Sequence, residues 1–159
     1  MQASDIRSFI KEIAHLAPWV SLRYHHEQIQ ERTYRNGIAE QNLNFLDEGC
    51  MIEVLVDGHY GYSGTSDVSK RGIKAGAEKA MDMARALGRY KIFSFSSSPV
   101  ANGKYVSPRQ VPSADLKLIS DRLKTYCAWL KVSDAVQTTL CSSAITNLKT
   151  HFVSNQGSD

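Results

Sequence analysis

This sequence of 159 residues contains no long apolar run, only three cysteines and little net charge. No stretch approaches the roughly 20 consecutive apolar residues that a membrane-spanning helix requires. The N-terminal segment MQASDIRSFIKEIAHL lacks the basic start and the cleavage site of a secretory signal. We therefore expect a cytoplasmic protein without membrane contact. The net charge of +3 permits an anionic partner but does not indicate one.

The cysteines Cys50, Cys127 and Cys141 are far apart in the sequence and form no C-x-x-C pair. This spacing suggests neither a zinc ribbon nor a disulfide framework. We interpret all three as buried free thiols, because unpaired cysteine usually behaves as a small hydrophobic residue. A cysteine enzyme would require a reactive thiol at one of these positions, and slow alkylation of all three would exclude it.

Established catalytic motifs are also absent: there is no His-Glu-x-x-His or His-Glu-x-x-x-His helix and no G-x-S-x-G elbow. The densest group of potential ligands is His25-His26-Glu27, but strand alternation places only His25 and Glu27 on one face. A catalytic zinc takes three protein ligands, so His59 would have to supply the third. We interpret these residues as solvated strand residues. We assign no catalytic, metal-binding or cofactor-binding residue to this chain.

The stretch VLVDGHYGYSGTSDVS, residues 54–69, places Gly58, Gly61 and Gly64 ahead of a helical pattern. Phosphate-binding loops carry G-x-x-x-x-G-K-[ST] or G-x-G-x-x-G and pass directly from a strand to a helix. Here the spacing is G-x-x-G-x-x-G. Asp57-Gly58 also predicts a type I′ hairpin turn, which puts a return strand between the turn and the helix. We therefore interpret these glycines as required by the conformation of the backbone, and we do not expect a nucleotide-binding site.

Hydrophobic periodicity predicts an α+β fold, in which amphipathic helices cover an antiparallel sheet with a tight β-hairpin. We expect one domain over residues 1–159. The predicted elements are a helix over 4–17, long strands from Trp19 with a reversal or bulge at Asn36-Gly37, a strand over 50–58, a return strand over 59–65, a helix over 67–87, a connection over 92–112, a helix from near Ser113, and a closing strand, turn and strand from Asp134.

The helix and its exit, residues 70–91, form a basic segment. Its cations are Lys70, Arg71, Lys74, Lys79, Arg85, Arg89 and Lys91, and its acids are Glu78 and Asp82. Such a face is typical of a solvated helix, so nucleic acid is not expected as a partner. The alternative is a stand-alone interaction module that contacts nucleic acid or a topoisomerase complex through this segment. Retention of an oligonucleotide that falls steeply with salt would support that alternative.

The stretch EGCMIEVLVDGHYGYSGTSDVSKRGIKAGAEKAMDMARAL, residues 48–87, resembles the N-terminal domain of the TldD/PmbA family. The shared pattern is a glycine, an apolar strand, a turn that ends in glycine, an aromatic-flanked glycine, a Thr/Ser/Asp stretch and an Ala-rich helix. The preceding WVSLRYHHEQIQERTYRNG and the closing HFVSNQGSD are similar to the strands that frame this pattern, so the resemblance spans nearly the whole chain.

The resemblance implies a zinc-dependent peptidase family, long labelled modulators of DNA gyrase, whose dimers enclose a cavity where unfolded or flexible peptides are cut. The family's zinc motif lies beyond this domain, so no residue here inherits a metal or catalytic role. The expected function is a non-catalytic N-terminal domain that forms part of the peptide-binding cavity and of the subunit interface. The expected partners are its own C-terminal metallopeptidase domain, a homodimer or heterodimer with a family paralogue, and the peptide substrate. Zinc is implied for the full-length protein and no cofactor for this chain.

Overall fold

The computed structural model describes residues 3–90, 94–96, 100–108 and 115–158, with side chains from Ile6 onward. The elements in chain order are α1 (Ala3–Ile13), β1 (Trp19–Arg35), β2 (Ile38–Val56), β3 (His59–Thr65), α2 (Lys70–Leu87), a 3-10 turn (Gly88–Tyr90), α3 (Leu116–Leu130) and β4 (Leu140–Ser154). The four strands form one antiparallel sheet in the order β3-β2-β1-β4. The predicted α+β class is confirmed.

Two tight turns connect the first three strands. Asn36 and Gly37 have φ angles of 50° and 77°, and Asp57 and Gly58 have φ angles of 50° and 78°. A positive φ at both central residues is the requirement of a type I′ turn, whose twist matches that of the flanking strands. Both dipeptides therefore reverse the chain. The predicted hairpin at Asp57-Gly58 is confirmed, and Asn36-Gly37 is a reversal rather than a bulge.

Two strand predictions were wrong. The segment from residue 50 is not a separate strand but the end of β2, which runs unbroken from Ile38 to Val56. The closing region contains one strand, β4, and not two. Thr139, just before β4, bonds to Asn36 twice: its amide hydrogen goes to the side-chain Oδ1 at 2.8 Å, and its carbonyl accepts the Asn36 amide hydrogen at 2.9 Å.

The chain forms two compact units, and the prediction of a single domain over residues 1–159 stays a prediction. Unit 1 contains residues 1–26, 47–105 and 149–159. Its core lies between the sheet and two helices. The buried members include Ile6, Ile10 and Ile13 of α1, Val20 and Leu22 of β1, Ile52 and Val54 of β2, and Ile73, Ala77, Ala80 and Ala84 of α2. The small residues of α2 let this helix approach the sheet closely.

Unit 2 contains residues 27–46 and 106–148. Its core is small: Tyr34 of β1 packs against Leu123 and Cys127 of α3, with Ile119 and Cys141 beside them. Most of the other α3 side chains are exposed, and Leu130 at its end is 52% exposed. The helix therefore depends on few apolar contacts.

The capping residues explain where the later helices begin. Ser69 caps α2 by accepting the amide hydrogen of Gly72, and Asp115 caps α3 by accepting those of Lys117 and Leu118. The prediction that α2 is amphipathic is confirmed, because Ile73, Ala77, Ala80, Met81 and Ala84 are buried on one side of the helix. Leu87, at the end of the helix, is 40% exposed. The predicted start at Ser113 lies outside the described residues. Of the connection predicted over 92–112, residues 94–96 and 100–108 are described and form no helix or strand.

Of the helices in the described part of the chain, none combines the length and the apolar character that a membrane crossing requires.

Candidate functional site

Strand alternation gives the sheet of unit 1 a second face, opposite α1 and α2, which we call the outer face. The side chains of Val20, Leu22, Ile52 and Val54 enter the core. Their neighbours along each strand must therefore lie on the other side, because the side-chain period of a strand is two. The outer face carries Trp19, Ser21 and Arg23 of β1, Met51, Glu53 and Leu55 of β2, and Tyr60 and Tyr62 of β3.

The polar centre of the outer face is Glu53. Its Oε2 accepts the hydroxyl hydrogen of Ser21 at 3.2 Å. Tyr62, its cross-strand partner, also bonds to the carboxylate. Burial first, and then the bond to Glu53, raises the pKa of Tyr62. The phenol therefore stays protonated as a donor at neutral pH, and the carboxylate is held as an acceptor between two hydroxyl groups.

An aromatic cluster lies at the end of the outer face that is nearest the Asp57-Gly58 turn. The Tyr60 ring lies 5.6 Å from Trp19 edge-on, 6.1 Å from Tyr62 and 5.4 Å from Phe95, between centroids. Residues 94–96 are fixed there because Phe95 donates its amide hydrogen to Gly58 at 2.7 Å and Tyr60 donates its hydroxyl hydrogen to the carbonyl of Ser96 at 3.2 Å. Trp19 is buried, but Tyr62 and Phe95 remain 45% and 49% exposed. The cluster thus offers a fixed, partly exposed apolar surface.

The other end of the outer face is a shallow depression of about 450 Å³ beside Met51. Gly64 lies opposite Met51 in the ladder and has no side chain to fill the space. Arg23 extends across to the Met51 thioether, with 3.3 Å between Nη2 and Sδ. His25 and Asp47 line the rim. The depression therefore combines an apolar floor with charges of both signs, which suits binding rather than a reaction.

The inner face carries the most perturbed titratable groups of unit 1. Tyr24 donates its hydroxyl hydrogen to Oε1 of Glu48 at 2.5 Å. Burial and this carboxylate raise the pKa of Tyr24 to about 12, and the same two causes raise the pKa of Cys50 to about 11. Cys50 is therefore a neutral thiol at physiological pH and a poor nucleophile.

The histidines that could have formed a metal site have other surroundings. Nδ1 of His26 lies 3.4 Å from the Tyr24 hydroxyl. Nδ1 of His59 lies 2.9 Å from the carbonyl of Asp57, and its buried Nε2 has no hydrogen-bond partner among the residues that the structure describes. His25, His26 and Glu27 are half-buried rather than fully solvated. Within the described ranges, no three His, Cys, Asp or Glu side chains are placed to hold a metal ion. The assignment of no site residue stays a prediction.

The basic segment is exposed on α2, where it alternates with acids. Lys70 forms an ion pair with Glu12 of α1. Lys74 and Arg85 lie on the solvent side, as do the carboxylates of Glu78 and Asp82. Lys91 lies outside the described residues. This face therefore carries mixed charge rather than a continuous positive patch.

The geometry defines an α+β domain whose sheet carries an aromatic cluster and a shallow depression on its outer face. Residues 20–84 match the family model described as PmbA/TldA metallopeptidase domain 1. This match identifies residues 20–84 as similar to the N-terminal domain of the TldD/PmbA family, and the resemblance seen in the sequence is confirmed. A comparison with curated proteins finds no match.

Solved structures agree with this identification at the level of the fold. TldE from Thermococcus kodakarensis has 12% identity and a TM-score of 0.65, over 96% of this chain and 35% of that one. A candidate modulator of DNA gyrase from Bacteroides thetaiotaomicron has 12% identity and a TM-score of 0.66, over 98% and 36%. Another from Thermotoga maritima has 15% identity and a TM-score of 0.67, over 95% and 35%. The chain thus spans about a third of the length of the structures it matches.

Proposed function

We propose that this chain is the non-catalytic N-terminal domain of a TldD/PmbA-like metallopeptidase, and that it forms part of the peptide-binding cavity and of the subunit interface. The observation that carries the proposal is the match of residues 20–84 to the first domain of a metallopeptidase family. Support comes from the length of the solved relatives, which leaves room for a further domain beyond the matched third. In this proposal the C-terminal metallopeptidase domain holds the zinc.

The outer face of unit 1 is the surface that we assign to the peptide. An unfolded peptide presents apolar side chains together with unpaired backbone amides and carbonyls. The exposed parts of Tyr62, Phe95 and Met51 supply apolar contact area, while Glu53 and Arg23 supply an acceptor and donors. The inner face is unsuitable because α1 and α2 cover it. The remaining partners in the proposal are a second copy of the chain or a paralogue.

Met51→Lys is expected to weaken the binding of an unfolded polypeptide to the chain by about tenfold, since burying a methionine side chain contributes about 1.5–3 kcal/mol. The residue is 42% exposed, so a lysine is tolerated by the fold. The measurement is a fluorescence anisotropy titration with labelled, carboxymethylated casein.

The matched control for this titration is Met83→Lys on α2. Met83 is 44% exposed and the substitution adds the same charge, but its helix lies on the opposite side of the sheet. We expect unchanged casein binding for this variant. If both variants weaken binding equally, or neither does, the outer face is not the peptide surface.

The purified chain is also expected to retain less than one zinc ion per molecule after equilibration with zinc and desalting, and to leave labelled casein uncut. The reason is that the chain has no His-Glu-x-x-x-His motif, on which the family's zinc chemistry rests. Metal analysis and a cleavage assay with and without a chelator measure this. Stoichiometric zinc together with chelator-sensitive cleavage would contradict the non-catalytic half of the proposal.

The alternative function, contact with nucleic acid or a topoisomerase complex through the basic segment, stays a prediction. The ion pair of Lys70 with Glu12 and the nearby Glu78 and Asp82 do not favour it. The cytoplasmic location also stays a prediction.

A further inference from the structure

The two cysteines of unit 2 meet in its core, although the sequence separates them widely. Cys127 of α3 is 2% exposed, and Cys141 at the start of β4 is half-buried and packs against the same cluster. The two cysteines therefore belong to one cluster, in which β4 packs against α3.

The Cys127 thiol donates its hydrogen to the carbonyl of Tyr34 at 3.4 Å. Burial raises the pKa of Cys127, but hydrogen bonds from Gly37, Cys141 and Thr139 lower it by more, so the pKa lies below its ordinary value.

We propose that Cys127 and Cys141 form a thiol–disulfide exchange site, at which a small disulfide such as oxidised glutathione is reduced and a Cys127–Cys141 disulfide joins α3 to β4. Thiol–disulfide exchange requires two neighbouring thiols, one of which a small disulfide can reach, and here Cys127 is buried and Cys141 is half-buried in the same cluster. The site does not depend on the proposed peptidase-domain function.

The exchange takes two steps. The Cys141 thiolate attacks one sulfur of the small disulfide, a Cys141–sulfur bond forms, and the first small thiolate leaves and takes up the proton that Cys141 lost. The Cys127 thiolate then attacks Sγ of Cys141 and expels the second small thiolate, which takes up the proton of Cys127. Two protein thiols are oxidised, and one small disulfide is reduced to two small thiols.

The different exposure of Cys141 and Cys127 decides which of them reacts first with the small disulfide. Cys141 is the entry sulfur because Cys127 is too deeply buried for an external disulfide. Burial and the neighbouring Cys127 raise the pKa of Cys141. The first step is therefore expected to accelerate as the pH rises, since it requires the Cys141 thiolate.

The test is incubation of the chain with oxidised glutathione, followed by intact-mass measurement and tryptic mapping. Trypsin separates the three cysteines into the peptides 125–131, 132–149 and 36–70. We expect the intact mass to fall by two hydrogens, peptides 125–131 and 132–149 to be linked, and no glutathione to be retained. Cys50→Ser should give the same result, because Cys50 lies in unit 1.

Two single variants separate the roles. Cys127→Ser should retain one glutathione on Cys141, because the resolving sulfur is gone. Cys141→Ser should react much more slowly, because Cys127 is buried. The proposal is overturned if the unsubstituted chain keeps glutathione on Cys141 without the internal link, if its intact mass does not change, or if Cys50 is oxidised first. Since these readings come from the unsubstituted chain, a variant that fails to fold leaves the test intact.

Discussion

Gly61→Ala is expected to destabilise unit 1 by about 3 kcal/mol, the upper end of the range for overpacked cores. A Cβ atom at this position would lie 1.9 Å from the carbonyl oxygen of Ala80 and 2.8 Å from the amide nitrogen of Ala84. Both atoms belong to the backbone of α2, so no side-chain rotation can relieve the overlap. The helix would have to move away from β3, and the core between them would open. Urea unfolding followed by the fluorescence of buried Trp19 measures the loss.

Gly64→Ala is the matched control, because Gly64 lies in the same strand three residues later. A Cβ built there meets no atom within 4 Å, and its φ is not positive. We expect a change of at most about 0.5 kcal/mol, and in the stabilising direction, because alanine restricts the unfolded chain more than glycine does. Equal destabilisation by both substitutions would show that the loss comes from β3 itself rather than from the approach of α2.

Features that depend on a few neighbouring residues could be predicted from the sequence. Asn36-Gly37 and Asp57-Gly58 have few low-energy alternatives to a reversal, since both turn residues need a positive φ. The apolar arc of α2 repeats over several turns and is confirmed over most of its length. A glycine within an aromatic strand indicates a bulge or close packing, and at Gly61 the structure shows close packing against α2.

Strand length could not be predicted in the same way. Asp47-Glu48-Gly49 has the composition of a turn, but β2 continues through it. The continuation depends on pairing, and residues 50–56 are held by a ladder to residues 59–65 that no local pattern describes. Conversely, a strand is predicted from Asp134, but the described residues before Leu140 form none, and Thr139 bonds to both the side chain and the backbone amide of Asn36. At both Asp47-Glu48-Gly49 and the residues before Leu140, the pairing available in the folded protein decides the structure, and the local sequence preference does not.

The candidate sites were the hardest features to predict, because each one joins distant parts of the chain. The outer face combines Ser21 with Glu53 and Trp19 with Tyr60. Cys127 and Cys141 come together only when α3 packs against β4. The sequence predicts buried free thiols at both positions, and of the two Cys127 is buried and Cys141 is half-buried.

Asn155→Ala is expected to lower the free energy of unfolding by about 2 kcal/mol, within the cost of leaving buried polar groups without partners. Asn155 lies just after β4, and its side chain ties the chain end to the start of β1. Its Oδ1 accepts the amide hydrogen of Val20 at 3.0 Å, and Val20 is fully buried. Its Nδ2 lies 3.3 Å from the carbonyls of Ala14 and Ala17. No other side chain type combines this acceptor and these donors at the same length, since glutamine is one methylene longer.

Two further variants separate the lost hydrogen bonds from general damage to the turn. Gln156→Ala removes an exposed neighbour, and we expect a change within about 0.5 kcal/mol. Asn155→Asp keeps the acceptor for Val20 but directs a carboxylate at the carbonyls of Ala14 and Ala17, so we expect it to destabilise at least as much as the alanine variant at pH 7. The loss in its free energy of unfolding, relative to the unsubstituted chain, should become smaller as the pH falls through about 4, because a protonated carboxyl can donate a hydrogen bond to a carbonyl. If the aspartate variant is as stable as the unsubstituted chain at pH 7, the donors of the Asn155 amide group contribute nothing to stability. The stabilising contact would then be only the hydrogen bond from the Val20 amide to Oδ1.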